Sequence, residues 1–167
     1  MNLFILRHAI AVQRGVGSYP QDDRPLTEAG IEKMERAAQG ILKIIPKLDM
    51  ILTSPMKRAS QTAEIVARTL RCSDRVTVTE SLLPGMTFPG VVATLRKYQS
   101  AMDVMIVGHE PDLSHFVSSL TGAREVMIEF KKGSLCCLDV TLMARAARGI
   151  ILWHLTPKHL RLIAKNS

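Results

Sequence analysis

The sequence predicts a three-layer α/β/α sandwich around a mixed, mostly parallel central sheet, built as a single domain over residues 1–167. Short apolar runs alternate with amphipathic helical stretches through most of the chain, as parallel strand-helix-strand units require. The closing part is strand-rich instead, so some of the sheet should pair antiparallel. Two of the apolar runs, FILRH and DVMIVGH, end in a histidine, at His8 and His109. Open α/β sheets gather their chemistry at the carboxyl ends of their strands, so the two imidazoles can converge on one crevice.

The opening strand covers residues 2–6 and runs into a polar loop, residues 9–23, whose glycines and Pro20 argue against regular structure. A helix then begins at Thr27, a good N-cap, with Ile31, Met34, Ala38, Ile41, Leu42 and Ile45 as its apolar stripe and Pro46 as its stop. After a strand over residues 50–53, Ser54 and Pro55 read as the start of a helix that buries Ala59, Ala63, Val66 and Leu70. That spacing puts Arg58 in the first turn, facing a ligand rather than the core. A short strand in RVTVTE leads to Glu80 and the turn Leu83-Pro84-Gly85, and residues 91–98 form the next helix. The strand at 103–107 delivers Gly108, His109 and Glu110, and Pro111 opens a helix with Leu113, Phe116, Val117 and Leu120 inward, closed by Gly122. Two β-rich runs, 126–130 and 134–142, a basic turn, the run GIILWHLTP and a short helix complete the chain.

With 167 residues and 47% hydrophobic content the chain can bury one core of ordinary size. The first apolar run is too short for a signal segment or a membrane span, so a soluble cytoplasmic protein with no membrane partner is expected. Cys136 and Cys137 are neighbours that point to opposite faces of a strand, and Cys72 falls in a polar stretch, which gives no disulfide or zinc framework. The net charge of +7 attracts polyanions, yet the Lys and Arg residues are scattered along the sequence, aromatics are only 4%, and no nucleic-acid motif is present. Nucleic acid is therefore not an expected partner. An acidic protein or a phosphorylated substrate suits the same charge.

Arg7 precedes His8 directly, so three strand ends supply two histidines and two arginines, a cluster suited to a phosphoryl group. Taken singly, a histidine at a strand end is often just a hydrogen-bonded turn residue, and an arginine a solvated or ion-paired one. Four such residues at three strand ends are harder to dismiss. A neutral His8 could attack phosphorus in line, giving a phosphohistidine that water hydrolyses, while Arg7, Arg58 and His109 compensate charge on the oxygens. The arginines would also disfavour imidazolium at His8. No metal and no cofactor is expected, because two arginines repel a cation and HExxH or CxxC spacing is missing. A GxSxG elbow is missing too, which argues against a serine hydrolase.

LRHAIA at 6–11, RPLTEAG at 24–30, TSPMKRASQTAEI at 53–65 and VGHEPDLS at 107–114 together resemble the histidine phosphatase superfamily, in particular its small phosphohistidine phosphatases. The closing WHLTPKHL run resembles that subgroup as well. The resemblance implies a phosphoglycerate mutase-like fold, His8 as the phosphorylated nucleophile, and Arg7, Arg58 and His109 as the substrate-binding phosphate pocket. The usual RHG triplet reads RHA here, with Ala9 keeping the backbone N–H but narrowing the space beside the phosphate.

Larger members of that superfamily place a proton donor after the third strand, where this chain has Glu80, with Asp22, Asp23 and Glu110 as rivals in flanking loops. A phosphohistidine substrate needs a donor less, since its leaving imidazole can carry its own proton. Only short loops, 9–23 and 81–90, surround the site, so an open mouth is expected. Such a mouth suits a phosphorylated side chain on another protein, for instance a histidine-phosphotransfer protein, better than an enclosed sugar phosphate. A general small-molecule phosphomonoesterase and a noncatalytic phosphate-binding module are the alternatives. The sequence leaves the oligomeric state and the physiological substrate open.

Overall fold

The computed structural model describes residues 1–20, 23–124, 128–143 and 146–165. Among these residues five α-helices flank a six-stranded sheet in the order β3-β2-β4-β1-β5-β6, formed by β1 (Asn2–Arg7), β2 (Met50–Thr53), β3 (Val76–Val78), β4 (Asp103–Gly108), β5 (Leu135–Met143) and β6 (Ala146–Leu155). The first four strands are parallel to one another. Strand β5 runs antiparallel to β1, and β6 antiparallel to β5. The mixed, mostly parallel sandwich expected from the sequence is the fold observed.

Alternation along the central strands decides which layer each residue feeds. Phe4 and Leu6 of β1 pack with α1 (Glu28–Ile44), α2 (Lys57–Thr69) and α5 (Pro157–Lys165), while Leu3 and Ile5 pack on the opposite face with α3 (Phe88–Arg96) and α4 (Asp112–Thr121). Leu3, Ile5 and Leu6 are fully buried. Each contributes on the order of 1.5–3 kcal/mol through burial. Cys136 and Cys137 divide between the two faces in the same way.

Several boundaries differ from the sequence reading, for local reasons. Helix α1 starts after Thr27, whose hydroxyl accepts from the Gly30 N–H as expected of an N-cap. Helix α2 does not start at Ser54-Pro55. It begins at Lys57, because the Ser54 hydroxyl accepts from Met56 N–H in a turn and Asp23 reaches across to accept from Lys57 N–H. Helix α3 begins at Phe88, three residues before the expected start, because the Thr87 side chain caps Gly90 N–H. Cys72 is buried at 3% exposure rather than placed in a polar loop. Of the run read as a strand at 126–130, Val126 and Met127 lie outside the described residues, and 128–130 lead into a tight turn instead of pairing.

That turn matters for what lies beside it. Gly133 has φ +83°, a conformation that glycine adopts without strain, and its N–H reaches the carbonyls of Arg7 and His8 at 3.1 and 3.2 Å. Arg7 N–H in turn donates to Ser134 O at 3.1 Å. The chain leaving β1 is thereby clasped at the residues that carry the site. Among the described residues no helix is long and apolar enough to cross a membrane.

Candidate active site

Strands β2, β4 and β1 are neighbours, and their register aligns their carboxyl ends. Arg7 stands opposite Gly108, so His8 and His109 follow side by side, and Thr53 stands opposite Val107, so Ser54 is level with Gly108, and the three line the carboxyl edge in a row staggered by one residue. Backbone bonds from His8 N to Gly108 O and from Ser54 N to Val107 O, both 3.1 Å, extend the ladder to that row. The chain leaves β1 toward α1 on one face and β4 toward α4 on the other, which opens a crevice where the connections diverge.

His8 is 7% exposed and His109 is 3% exposed, with ring centroids 5.2 Å apart. His8 Nδ1 lies 2.7 Å from the carbonyl oxygen of Ala9. A carbonyl can only accept, so Nδ1 carries the proton and Nε2 keeps a lone pair. Burial above all, with the positive charge of His109, Arg58 and Arg7 adding to it against the opposing pull of the Ala9 carbonyl, holds the His8 imidazole down at about 3. His8 is therefore a neutral base with a fixed tautomer at any ordinary pH.

Arg58, in the first turn of α2, is 4% exposed and lies close enough to His8 to act on its charge. Arg7 is half-buried. Its guanidinium donates to the carbonyl of Phe130, and Glu110 faces it with opposite charge. His109 Nε2 meets the Ser54 hydroxyl at 2.9 Å. The four residues expected to share a crevice do share one.

Sequence reasoning missed three contributors. Ser54, read only as a helix start, is fully buried and orients His109. Thr62 accepts from Ala9 N–H at 3.0 Å and donates to the Arg58 carbonyl at 2.6 Å, tying the loop after His8 to the first turn of α2. The Ala9 N–H, expected to stay available beside the phosphate, is thus already engaged. Thr62 stands four residues after Arg58, and that spacing was the only signal for it. Lys132 is the third. Its ammonium is held below the usual lysine range by partial burial and then by Arg7, Arg24 and Arg58, which sets it at the same mouth.

The candidate acids are distributed unevenly. Both oxygens of Glu110 are taken by Ser114, through its N–H at 3.1 Å and its hydroxyl at 2.6 Å, and Asp23 caps α2. Asp22 lies outside the described residues. Glu80 is exposed on a three-residue 3-10 turn after β3 and lines a small hollow with the 81–90 loop. Among the described residues its carboxylate has no hydrogen bond or ion pair. No cluster of three or more metal-ligating side chains occurs among the described residues.

Residues 3–83 match the model of the histidine phosphatase superfamily, branch 1. A protein of Picosynechococcus sp. strain PCC 7002, itself uncharacterized, is 35% identical over 123 residues, covering 72% of this chain and 73% of that one. This chain belongs to the histidine phosphatase superfamily. Within the superfamily it is similar to the phosphohistidine phosphatase SixA of Escherichia coli K12, 25% identical over 169 residues and covering 97% and 98% of the two chains. The structure of the protein histidine phosphatase SixA complexed with tungstate superposes with a TM-score of 0.81 at 25% identity, covering 96% of this chain and 99% of that one. The superfamily match spans Arg7, His8, Arg58 and Glu80, and His109 joins them through the register of β4 with β1.

Proposed function

We propose that this protein is a metal-independent phosphatase that removes the phosphoryl group from phosphohistidine on another protein, with His8 as the nucleophile. The observation that carries this reading is the buried, neutral His8 with its proton fixed on Nδ1 and two arginines beside it. Nε2 attacks phosphorus as the phosphorus–nitrogen bond of the substrate breaks. The departing ring, protonated on its other nitrogen, takes the bonding pair and leaves as neutral imidazole. Water then attacks the His8 phosphoramidate and releases phosphate, regenerating the lone pair on Nε2.

Arg7 and Arg58 hold the equatorial oxygens, and His109, fixed by Ser54, serves a third. Their charges are in place before the substrate arrives, so little reorganisation accompanies the reaction. Glu80 is the proposed proton donor for oxygen leaving groups, since the carboxylates of Glu110 and Asp23 are engaged elsewhere. The similarity to SixA proteins supports a phosphorylated protein as substrate, a histidine-phosphotransfer protein being one example. All three cysteines are free, which agrees with a reducing cytoplasm.

Rapid quench with labelled phosphohistidine protein should trap phosphate on His8, and His8→Ala should lose turnover by roughly 10³-fold or more, with EDTA having no effect. Label on another residue would sink the nucleophile assignment. Faster turnover of a sugar phosphate or phosphoserine peptide than of phosphohistidine would favour a general phosphomonoesterase.

A further inference from the structure

Several of the basic residues scattered along the sequence gather on one side of the crevice. A cavity of about 540 Å³ opens beside Arg7, floored by Ile10, Gly30, Met34 and Ala37 and edged by Lys33, Lys132, Lys158 and Arg161. It adjoins a second cavity of about 530 Å³, edged by the same Lys158 and Arg161 together with Arg36 and Lys165. Helices α1 and α5 form the walls of this groove. They approach so closely that a Cβ added at Gly40 would sit 2.0 Å from Leu160 O, and Lys43 donates to the carbonyls of Ile163 and Ala164 at 2.9 Å.

Few of these cations are neutralised within the chain. Lys131 pairs with Glu129 and Arg36 with Glu32, but Lys33, Lys132, Lys158, Arg161 and Lys165 form no ion pair among the described residues. From Gly30 to Gln39 the groove follows α1 for about 14 Å, at roughly 1.5 Å per residue. Of His8, Arg7, Arg58 and His109 only Arg7 lines the groove, so a phosphoryl group held in the crevice reaches no further than its inner end. The remaining length exceeds a small phosphate ester but matches a stretch of polypeptide.

We infer that the groove between α1 and α5 docks an acidic segment of the phosphorylated protein, next to the phosphohistidine that enters the crevice. The apolar floor takes the body of the segment, and the cationic edge takes its carboxylates. This rests on the phosphohistidine reading and names the chemistry of the partner. Charge along a cleft raises encounter rates and sets orientation, so its effect should fall on kcat/KM, mainly through KM, and fade with salt.

The test uses two synthetic phosphohistidine peptides of equal length, one flanked by glutamates and one by glutamines, together with free phosphoramidate. The wild-type protein should prefer the glutamate peptide by about tenfold in kcat/KM at low ionic strength. Lys33→Glu combined with Lys158→Glu should abolish that preference while leaving phosphoramidate hydrolysis unchanged, which also reports an intact fold. Equal use of both peptides by wild type, or a preference that survives the double substitution, would overturn the docking site. If neither peptide is hydrolysed while an alkyl phosphate is, the phosphohistidine reading itself fails and the docking site with it. Inhibition of glutamate-peptide turnover by a random DNA duplex at lower concentration than by polyglutamate would reassign the groove to nucleic acid.

Discussion

On the floor of the crevice His8, Arg58 and His109 are at most 7% exposed, and hydrogen bonds to Ala9, Thr62 and Ser54 hold their surroundings. On its rim Glu80 is exposed on a short turn, and its carboxylate meets no partner among the described residues. The floor is set by the register of β1 with β4 and by the first turn of α2. The rim is set by a loop. On the proposed mechanism, phosphate recognition belongs to the core of the fold, whereas the handling of the leaving group belongs to its surface.

The largest test of this contrast is Arg58→Lys. A guanidinium can hold two phosphate oxygens at once and an ammonium cannot, so the lysine variant should lose about 10²-fold in kcat/KM for every phosphorylated substrate. Steady-state kinetics on a phosphohistidine protein and an alkyl phosphate would measure this. Near wild-type rates would mean that Arg58 is not part of the phosphate pocket.

A smaller and more selective effect is expected at the rim. Glu80→Gln should reduce alkyl ester hydrolysis by about 10²-fold, the low end of the usual scale of general acid catalysis, and phosphohistidine hydrolysis by only a few fold. The two substrates differ in whether the leaving atom needs a proton. Equal losses on both would remove Glu80 as a donor and leave the comparison of floor with rim without its chemical basis.

The smallest effect concerns protons and stability. His8 is held at about 3 in the folded protein, mainly by burial, against an ordinary value of 6.5. Between these values the unfolded chain binds the proton and the folded one does not, so the contribution of His8 to stability declines as pH falls from 6.5 towards 3. His8→Asn should flatten the fall in Tm between pH 7 and pH 4, although partly buried His154 is shifted the same way and keeps some of the slope. A Tm profile identical to wild type would show that His8 is not the neutral buried group described above.

Much of this was legible because strand ends and helix stripes are local patterns. The stripe from Ile31 to Ile45 and the apolar run at 103–107 placed their elements within a residue or two, since a 3.6-residue or two-residue period is written in consecutive side chains. The start of α2 was misread because Asp23, a residue 34 positions away from Lys57, supplies the cap. Thr62 and Ser54 escaped notice for the same kind of reason: their partners are Ala9 and His109, 53 and 55 residues distant.

By itself, then, the sequence determined which residues carry charge and lone pairs and at which strand ends they stand, because those depend on chemistry and local periodicity. The tertiary structure decided what lies beside what. Inserting β4 between β2 and β1 brings His109 next to His8, and packing α5 on α1 turns dispersed lysines and arginines into one groove. Neither is encoded in any short stretch of chain, since strand order and helix docking follow from burying the apolar faces of the whole molecule at once.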